Sequence, residues 1–126
     1  MTYFKIIGNN NKTSKGITIN YEGTVDILDY EDSFNDEPDC TSKALYFSDR
    51  DHIHHFYDYG NTICEITIPK DGRVIPFENK YKTNKMTIGK KYPLSDPNTY
   101  LELKIKFPTV DEAVMNGYLD CLKYLH

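Results

Sequence analysis

Short runs of β-branched and aromatic residues, separated by Gly, Asn and Pro, predict that most of the chain forms a β-sheet. The first runs, joined by turn residues that favour hairpins, are YFKII (3–7), ITINY (17–21) and TVDILD (24–29). Later runs predict further strands at ALYFS (44–48), NTICEITIP (61–69), RVIPF (73–77) and KYKTNKMTI (80–88).

Helix signals interrupt this pattern at two places. Ser48 and Asp51 resemble a capping box, so we expect a helix that extends to about Tyr57 and stops at a left-handed Gly60. Further on, Asp96-Pro97 has the form of an N-cap followed by the first helical position, with a short helix or strand through residues 100–106.

The C-terminal segment 109–126 predicts two helices joined by a tight turn. Apolar positions at helical spacing are interrupted by Asn116-Gly117 and resume at Leu119, Leu122 and Leu125. We therefore predict an α+β fold, in which a mainly antiparallel sheet domain over 1–108 carries the helical hairpin 109–126 packed on it.

Length and composition limit the class of protein. A chain of 126 residues is enough for one core, and no apolar stretch is long enough for a membrane span. The N-terminus lacks the pattern of a secretory signal, so we expect an intracellular protein without membrane contact. The net charge of −4 disfavours polyanionic partners.

Charge is nevertheless unevenly distributed. Residues 26–39 contain seven carboxylates and no base, whereas residues 80–91 contain five lysines and no acid. We interpret 31–40 as a solvated acidic loop and 8–16 as a hairpin loop. In a strand, Lys80 and Lys82 would face solvent and Tyr81 the core. Weak nucleic-acid binding through residues 80–91 is an alternative function.

Metal and thiol chemistry are not indicated. Cys40, Cys64 and Cys121 lie far apart, which predicts reduced, packed thiols rather than a zinc module or disulfides. The histidines in Asp51-His52-Ile53-His54-His55 lack a third and fourth ligand at a metal-binding spacing, so we interpret them as the solvent side of a helix. The sequence predicts neither a metal nor a cofactor.

Apolar and aromatic surface residues are the better candidates for binding. We expect Tyr57 and Tyr59 to lie at the surface and to anchor a protein partner, because tyrosine offers amphipathic contact area. The leucine stripe of the last predicted helix, Leu119, Leu122 and Leu125, would favour self-association or partner binding if it is exposed.

The segment PTVDEAVMNGYLDCLKYLH (108–126) resembles one ankyrin repeat, although Val110-Asp111-Glu112 replaces the usual Leu-His at its start. The amino-acid sequence of this segment is similar to that of the large ankyrin-repeat families of giant, mimivirus-type viruses. Stretches that resemble the domain preceding the repeats in those families are ALYFSD (44–49), FYDYG (56–60), ITIPKDGRV (66–74) and KYKTNKMTIGKKYPLSDPNTY (80–100).

The resemblance implies a non-enzymatic protein-interaction scaffold without a cofactor. It also implies a host or viral protein partner and a location in the cytoplasm of the infected host cell, with association with the virion as a further expectation. One ankyrin unit cannot bury its own apolar face, so it needs neighbours or a sheet to pack against.

An alternative resemblance is to part of the ADP-ribosyltransferase fold, in the order strand, short helix, strand over 44–69. Under this reading Tyr46, His54 and Glu65 are the candidate residues of a degenerate nucleotide-binding site. The chain shows no convincing Ser-x-Ser or Glu-x-Glu element to support catalysis.

Overall fold

The computed structural model describes residues 2–8, 18–30, 34 and 44–125, in which seven antiparallel strands form one sheet. The strands are β1 (Tyr3–Ile7), β2 (Thr24–Asp26), β3 (Leu45–Asp49), β4 (Thr62–Thr67), β5 (Val74–Phe77), β6 (Lys80–Thr83) and β7 (Lys85–Pro93). The helices are α1 (Pro97–Leu103), α2 (Val110–Asn116) and α3 (Leu119–Leu125), with 3-10 helices at Ile27–Asp29 and Ile53–Tyr59. The predicted α+β class is confirmed.

β1 occupies the middle of the sheet, whose order is β2-β7-β4-β1-β3-β6-β5. Phe4 of β1 lies opposite Glu65 of β4 on one side and Ser48 of β3 on the other. The predicted N-terminal hairpin is therefore wrong: β1 pairs with strands distant in sequence, and 17–21 contributes no strand in its described part, residues 18–21. A central position suits a strand that buries side chains on both faces.

β2 is shorter than the predicted strand over 24–29. The Asp26 carboxylate accepts a hydrogen bond from the backbone N–H of Leu28 and caps the 3-10 helix Ile27–Asp29. A local side-chain bond of this kind competes with the strand ladder, which explains the early end.

The predicted helix after β3 is a 3-10 helix, and its ends differ from the prediction. Asp49 rather than Asp51 accepts the hydrogen bond from the His52 N–H, at 3.1 Å, while the Ser48 hydroxyl donates to the Asn79 carbonyl. Gly60 is extended, with φ −179°, so the predicted left-handed stop is wrong. A Cβ at Gly60 would lie 2.3 Å from the Ile7 carbonyl oxygen, so close packing against β1 requires glycine there.

The predicted strand 80–88 is divided into β6 and β7 at Asn84. The Asn84 side chain accepts a hydrogen bond of 2.7 Å from the Arg73 N–H, which fixes the chain where it leaves β6. β6 then pairs with β3 and β5, whereas β7 crosses to pair with β2 and β4.

The C-terminal helices begin where the sequence predicts, although α1 ends at Leu103, before the predicted end at residue 106. Asp96 caps α1 with Pro97 at its first position, and Thr109 and Glu112 form a capping box at α2. Gly117 ends α2 in the left-handed conformation, with φ 69°. The predicted helix–turn–helix is confirmed, and the division at residue 108 stays a prediction.

Two buried clusters cover the two faces of the sheet. Ile63 and Cys64 are neighbours in β4 and belong to different clusters, as alternation along a strand requires. Ala113 of α2 and Cys121 of α3 are fully buried in the cluster that also contains Phe4, Leu94 and Tyr100. The helical hairpin is thus packed against the rest of the chain through small side chains. Among the described residues, no helix has the length and apolar character to cross a membrane.

Candidate functional site

The two predicted tyrosine anchors have opposite environments. Tyr57 is 3% exposed, packs edge-to-face on Tyr100 and donates a hydrogen bond from its hydroxyl to the Lys106 carbonyl. The expectation that Tyr57 lies at the surface is therefore wrong, because its ring fills the core beneath the 3-10 helix. Tyr59 is 71% exposed and contacts Phe56 at a ring-centroid distance of 5.7 Å.

The three predicted leucines also differ. Leu119 is 67% exposed, whereas Leu122 is half-buried and packs against the core cluster, and Leu125 is half-buried. The residue of α3 that points into the core is Cys121, which the leucine spacing did not indicate. The stripe is therefore not a single exposed face.

An exposed apolar surface does exist on the helical hairpin, with a different composition. We define the hairpin surface by the exposed apolar side chains of α2 and α3, which are Val110, Val114, Met115, Leu119 and Tyr124. Helical spacing marked Val110 and Val114 as apolar positions, but it could not show that only Ala113 of this helix would be buried.

A cavity of about 280 Å³ lies between β1, β3, β6 and the 3-10 helix Ile53–Tyr59. We call it the Lys80 cavity; its lining residues are Lys5, Ile6, Tyr46, Phe47, Ile53, Phe56, Tyr59 and Lys80. Sequence reasoning missed this cavity because its residues come from four separate elements.

The Lys80 ammonium is surrounded by aromatic rings. Its Nζ lies 5.3 Å from the ring centroid of Tyr46, 5.8 Å from that of Phe56 and 5.2 Å from that of Phe77. These distances are within the range of cation–π attraction. No carboxylate of the described residues forms a salt bridge with Lys80. Sequence alternation could have suggested the shared face of Lys80 and Phe77, but not the contribution of Phe56.

The second lysine of the cavity is held internally. Lys5 is largely buried; its Nζ donates a hydrogen bond of 2.7 Å to the Tyr46 carbonyl and lies 5.1 Å from the Tyr21 ring centroid. Burial lowers the pKa of Lys5 to about 8, although the nearby Cys64 opposes this effect.

The remaining lysines of residues 80–91 do not form an exposed basic stripe. Lys82 is fully buried, so the prediction that it faces solvent is wrong, and it lies over the Phe34 ring at 5.7 Å. The others are paired with acids, as Lys85 with Asp71 and Asp26, Lys90 with Glu102, and Lys91 with Glu22. These pairs reduce the positive field that nucleic-acid binding would use.

The three histidines surround the start of the 3-10 helix. His52 Nδ1 lies 2.7 Å from Asp49 Oδ1, and the His54 and His55 rings are 4.1 Å apart. Burial is the main cause that lowers the pKa of His54. No group of three or more His, Cys, Asp or Glu able to hold a metal was found among the described residues.

The residues of the ADP-ribosyltransferase alternative do not line the same cavity. Tyr46 lines the Lys80 cavity, whereas His54 and Glu65 are absent from its lining. Glu65 lies on β4, on the far side of β1 from Tyr46.

Two of the three cysteines are free, buried thiols, Cys64 and Cys121. Burial raises the pKa of the Cys64 thiol to about 11. Burial also raises the pKa of the Cys121 thiol. Cys40, most of the predicted acidic loop 31–40 and the predicted hairpin loop beyond Gly8 lie outside the described residues.

Comparison with known proteins gives relatives from one virus. Two proteins of Acanthamoeba polyphaga mimivirus whose names describe ankyrin repeat proteins are 32% and 30% identical to this chain, over 98% and 90% of its length. The chain spans 65% and 38% of these relatives, less than two thirds of each. An uncharacterized protein of the same virus is 31% identical, and the aligned region covers 94% of this chain and 92% of that protein.

No protein-family model matches the chain, and no solved structure matches it significantly. The relatives nevertheless align with almost the whole chain, including the antiparallel sheet and the capped helical hairpin. On these grounds the chain belongs to the mimivirus-type ankyrin-repeat protein family.

Proposed function

We propose that this chain is a non-enzymatic protein-interaction module that acts in infected host cells and binds its partner through the hairpin surface. The observation that carries the proposal is the exposure of large apolar side chains on that surface, with Met115 85% and Leu119 67% exposed. Apolar side chains exposed to water on two packed helices are candidate interaction sites, because burial by a partner removes them from water. The names of the relatives, which describe ankyrin repeat proteins, agree with this role.

Hydrogen bonds and core packing hold the backbone of the helices that carry the hairpin surface. The capping box at Thr109 fixes the start of α2, and the Gly117 and Tyr118 N–H groups donate to carbonyls at its end. Cys121 and Ala113 fix the opposite side of the hairpin against the core. A rigid apolar surface loses little conformational entropy on binding, which favours affinity.

A capture experiment tests the proposal. The tagged chain is incubated with amoebal lysate, with and without viral infection, and retained proteins are quantified by mass spectrometry. We expect a stoichiometric host or viral partner that is lost with the double variant Met115→Ser, Leu119→Ser. These two residues are exposed, so the variant should stay folded; Leu122 and Leu125 are left intact because they are half-buried.

The matched control is Leu101→Ser, because Leu101 is an apolar helical residue that is 47% exposed but lies outside the hairpin surface. Equal retention of the partner by the double variant and the wild type would contradict binding through this surface. If purified wild type forms a dimer that the double variant does not, the partner is a second copy of the chain. Saturable nucleotide turnover that is lost in Glu65→Gln would overturn the non-enzymatic role.

A further inference from the structure

The Lys80 cavity combines an apolar lining with positive charge. Four aromatic and two aliphatic side chains line it together with Lys5 and Lys80, and no acidic residue of the described part of the chain does so. The chain as a whole has a net charge of −4, so the cavity differs in sign from the average surface. Apolar cavities with a few polar groups that converge on one point are the usual form of a ligand site.

The two lysines have different roles in this cavity. Lys5 already donates to the Tyr46 carbonyl. Lys80 has three aromatic neighbours and no salt bridge to a carboxylate of the described residues. Cation–π contacts position its ammonium, and no carboxylate within 2–8, 18–30, 34 and 44–125 pairs with it, so an anion would complete its coordination.

We propose that the Lys80 cavity binds a small aromatic carboxylate, with the ring packed among Tyr46, Phe56 and Tyr59 and the carboxylate accepting a hydrogen bond from Lys80. The volume of about 280 Å³ is close to the lower end of ligand-pocket volumes, which suits a ligand with one ring. A cationic ligand is disfavoured, since the two cationic groups of the lining, Lys5 and Lys80, would repel it.

The same chemistry has two sources: a free aromatic acid, or the C-terminal residue of a peptide that ends in Phe or Tyr. Both present one ring and one carboxylate separated by one or two carbon atoms. The site shares no residue with the hairpin surface, so the proposal holds or fails independently of the proposed function.

The test is a pair of titrations of the full chain by calorimetry, with N-acetyl-phenylalanine and N-acetyl-phenylalanine amide. These probes differ at one group, which is a negatively charged carboxylate in the first and a neutral carboxamide in the second. We expect the acid to bind about tenfold more tightly than the amide, and N-acetyl-alanine to bind more weakly than either. Equal affinities for acid and amide, or no binding of the acid, would overturn the proposal.

Variants of the chain then test whether the Lys80 ammonium is the group that causes the preference for the acid over the amide. In Lys80→Met we expect the preference for the acid to disappear, whereas Lys80→Arg retains it. Lys70→Met is the matched control, because Lys70 is an exposed lysine outside the cavity and its loss changes the net charge equally. Loss of the preference in Lys70→Met as well would contradict a local role of Lys80. If Lys80→Met does not fold, the affinities of the acid and the amide are compared in the wild type and in Lys80→Arg, and a preference for the acid is expected in both proteins.

A third set of titrations distinguishes a free aromatic acid from a peptide C-terminus as the ligand. Phenylacetate represents a free acid and N-acetyl-Gly-Gly-Phe a peptide C-terminus, while N-acetyl-Gly-Gly-Phe amide is the neutral control. Tighter binding of phenylacetate than of N-acetyl-Gly-Gly-Phe identifies a free acid as the ligand, and the reverse order identifies a peptide terminus. Tyr59→Ala should weaken whichever binds, since the exposed Tyr59 ring lines the cavity. Unchanged affinity in Tyr59→Ala would contradict the proposed position of the ring.

Discussion

The ammonium group of Lys5, on the central strand β1, donates a hydrogen bond of 2.7 Å to the backbone carbonyl of Tyr46 on the neighbouring strand β3. This places a charged group in the middle of the sheet, where the ring of Tyr21 provides a cation–π contact. Burying an ammonium with so few partners costs free energy, and the pKa of Lys5 falls to about 8 as a result.

The first prediction concerns the pH dependence of stability. Between about pH 8 and the ordinary lysine pKa of 10.5, the folded chain binds fewer protons at Lys5 than the unfolded chain does. The Lys5 contribution to the free energy of unfolding therefore rises with pH across this window. Relative to Lys5→Met, the wild type should gain about 2 kcal/mol between about pH 7 and about pH 9.5.

Urea unfolding of both proteins at the two pH values measures this difference. Cys64, whose thiol keeps its proton to about pH 11 in the folded chain, acts in the opposite sense, but it is present in both proteins. A constant difference between wild type and Lys5→Met at the two pH values would show that Lys5 is not buried as described.

The second prediction compares two tyrosines that are two positions apart. Tyr57→Phe removes the hydroxyl that donates to the Lys106 carbonyl and should lower the free energy of unfolding by about 1 kcal/mol. Tyr59→Phe is the control, and it should change stability little because Tyr59 is 71% exposed. Thermal melts of the two variants check this, and equal effects would contradict the burial of Tyr57.

The third prediction concerns Gly60. Gly60→Ala places a Cβ 2.3 Å from the Ile7 carbonyl oxygen, so the 3-10 helix or β1 must shift, at a cost of about 3 kcal/mol. Gly117→Asn should cost less than about 1 kcal/mol, because nothing lies near its Cβ and Asn tolerates the left-handed conformation. Denaturant unfolding measures the loss of unfolding free energy in each variant. A larger loss in Gly117→Asn than in Gly60→Ala would contradict the close approach of Gly60 to β1.

The fourth prediction concerns thiol reactivity. In a Cys40→Ser variant, Cys64 and Cys121 are the remaining thiols, and both are fully buried. The raised pKa of Cys64 reduces its thiolate, so near pH 8 it should react with a disulfide reagent roughly a hundredfold more slowly than in the unfolded chain. Rapid labelling of two thiols in the folded variant would contradict this packing.

Local signals in the sequence were sufficient for the individual elements near the C-terminus. Asp96-Pro97 and Gly117 act through bonds to residues within one turn, and each is found in its predicted role; the capping box of Thr109 and Glu112 is equally local, but it was not predicted. Where a signal had local competitors the prediction was less accurate. Asp49 replaced Ser48 and Asp51 at the start of the 3-10 helix because its carboxylate reaches both the His52 N–H and its ring.

The candidate site was predicted less completely than the fold. Tyr59 and Leu119 are exposed as expected, but Tyr57, two positions from Tyr59, is turned into the core. The lysine spacing could not separate Lys80, which lines the cavity, from Lys82, which is fully buried. Both distinctions depend on elements that are remote in sequence.

The sequence by itself determined the α+β class, most strands, the Asp96-Pro97 start of α1 and the Gly117 end of α2, because propensity, capping and turn chemistry operate over a few residues. It also indicated the family, through the resemblance of its longer stretches. Only the tertiary structure decided that β1 is central, that Gly60 must be glycine, and that Lys5, Tyr46, Phe56 and Lys80 surround one cavity. These features come from pairing between distant segments. Their register is set by how all the strands bury their apolar faces together.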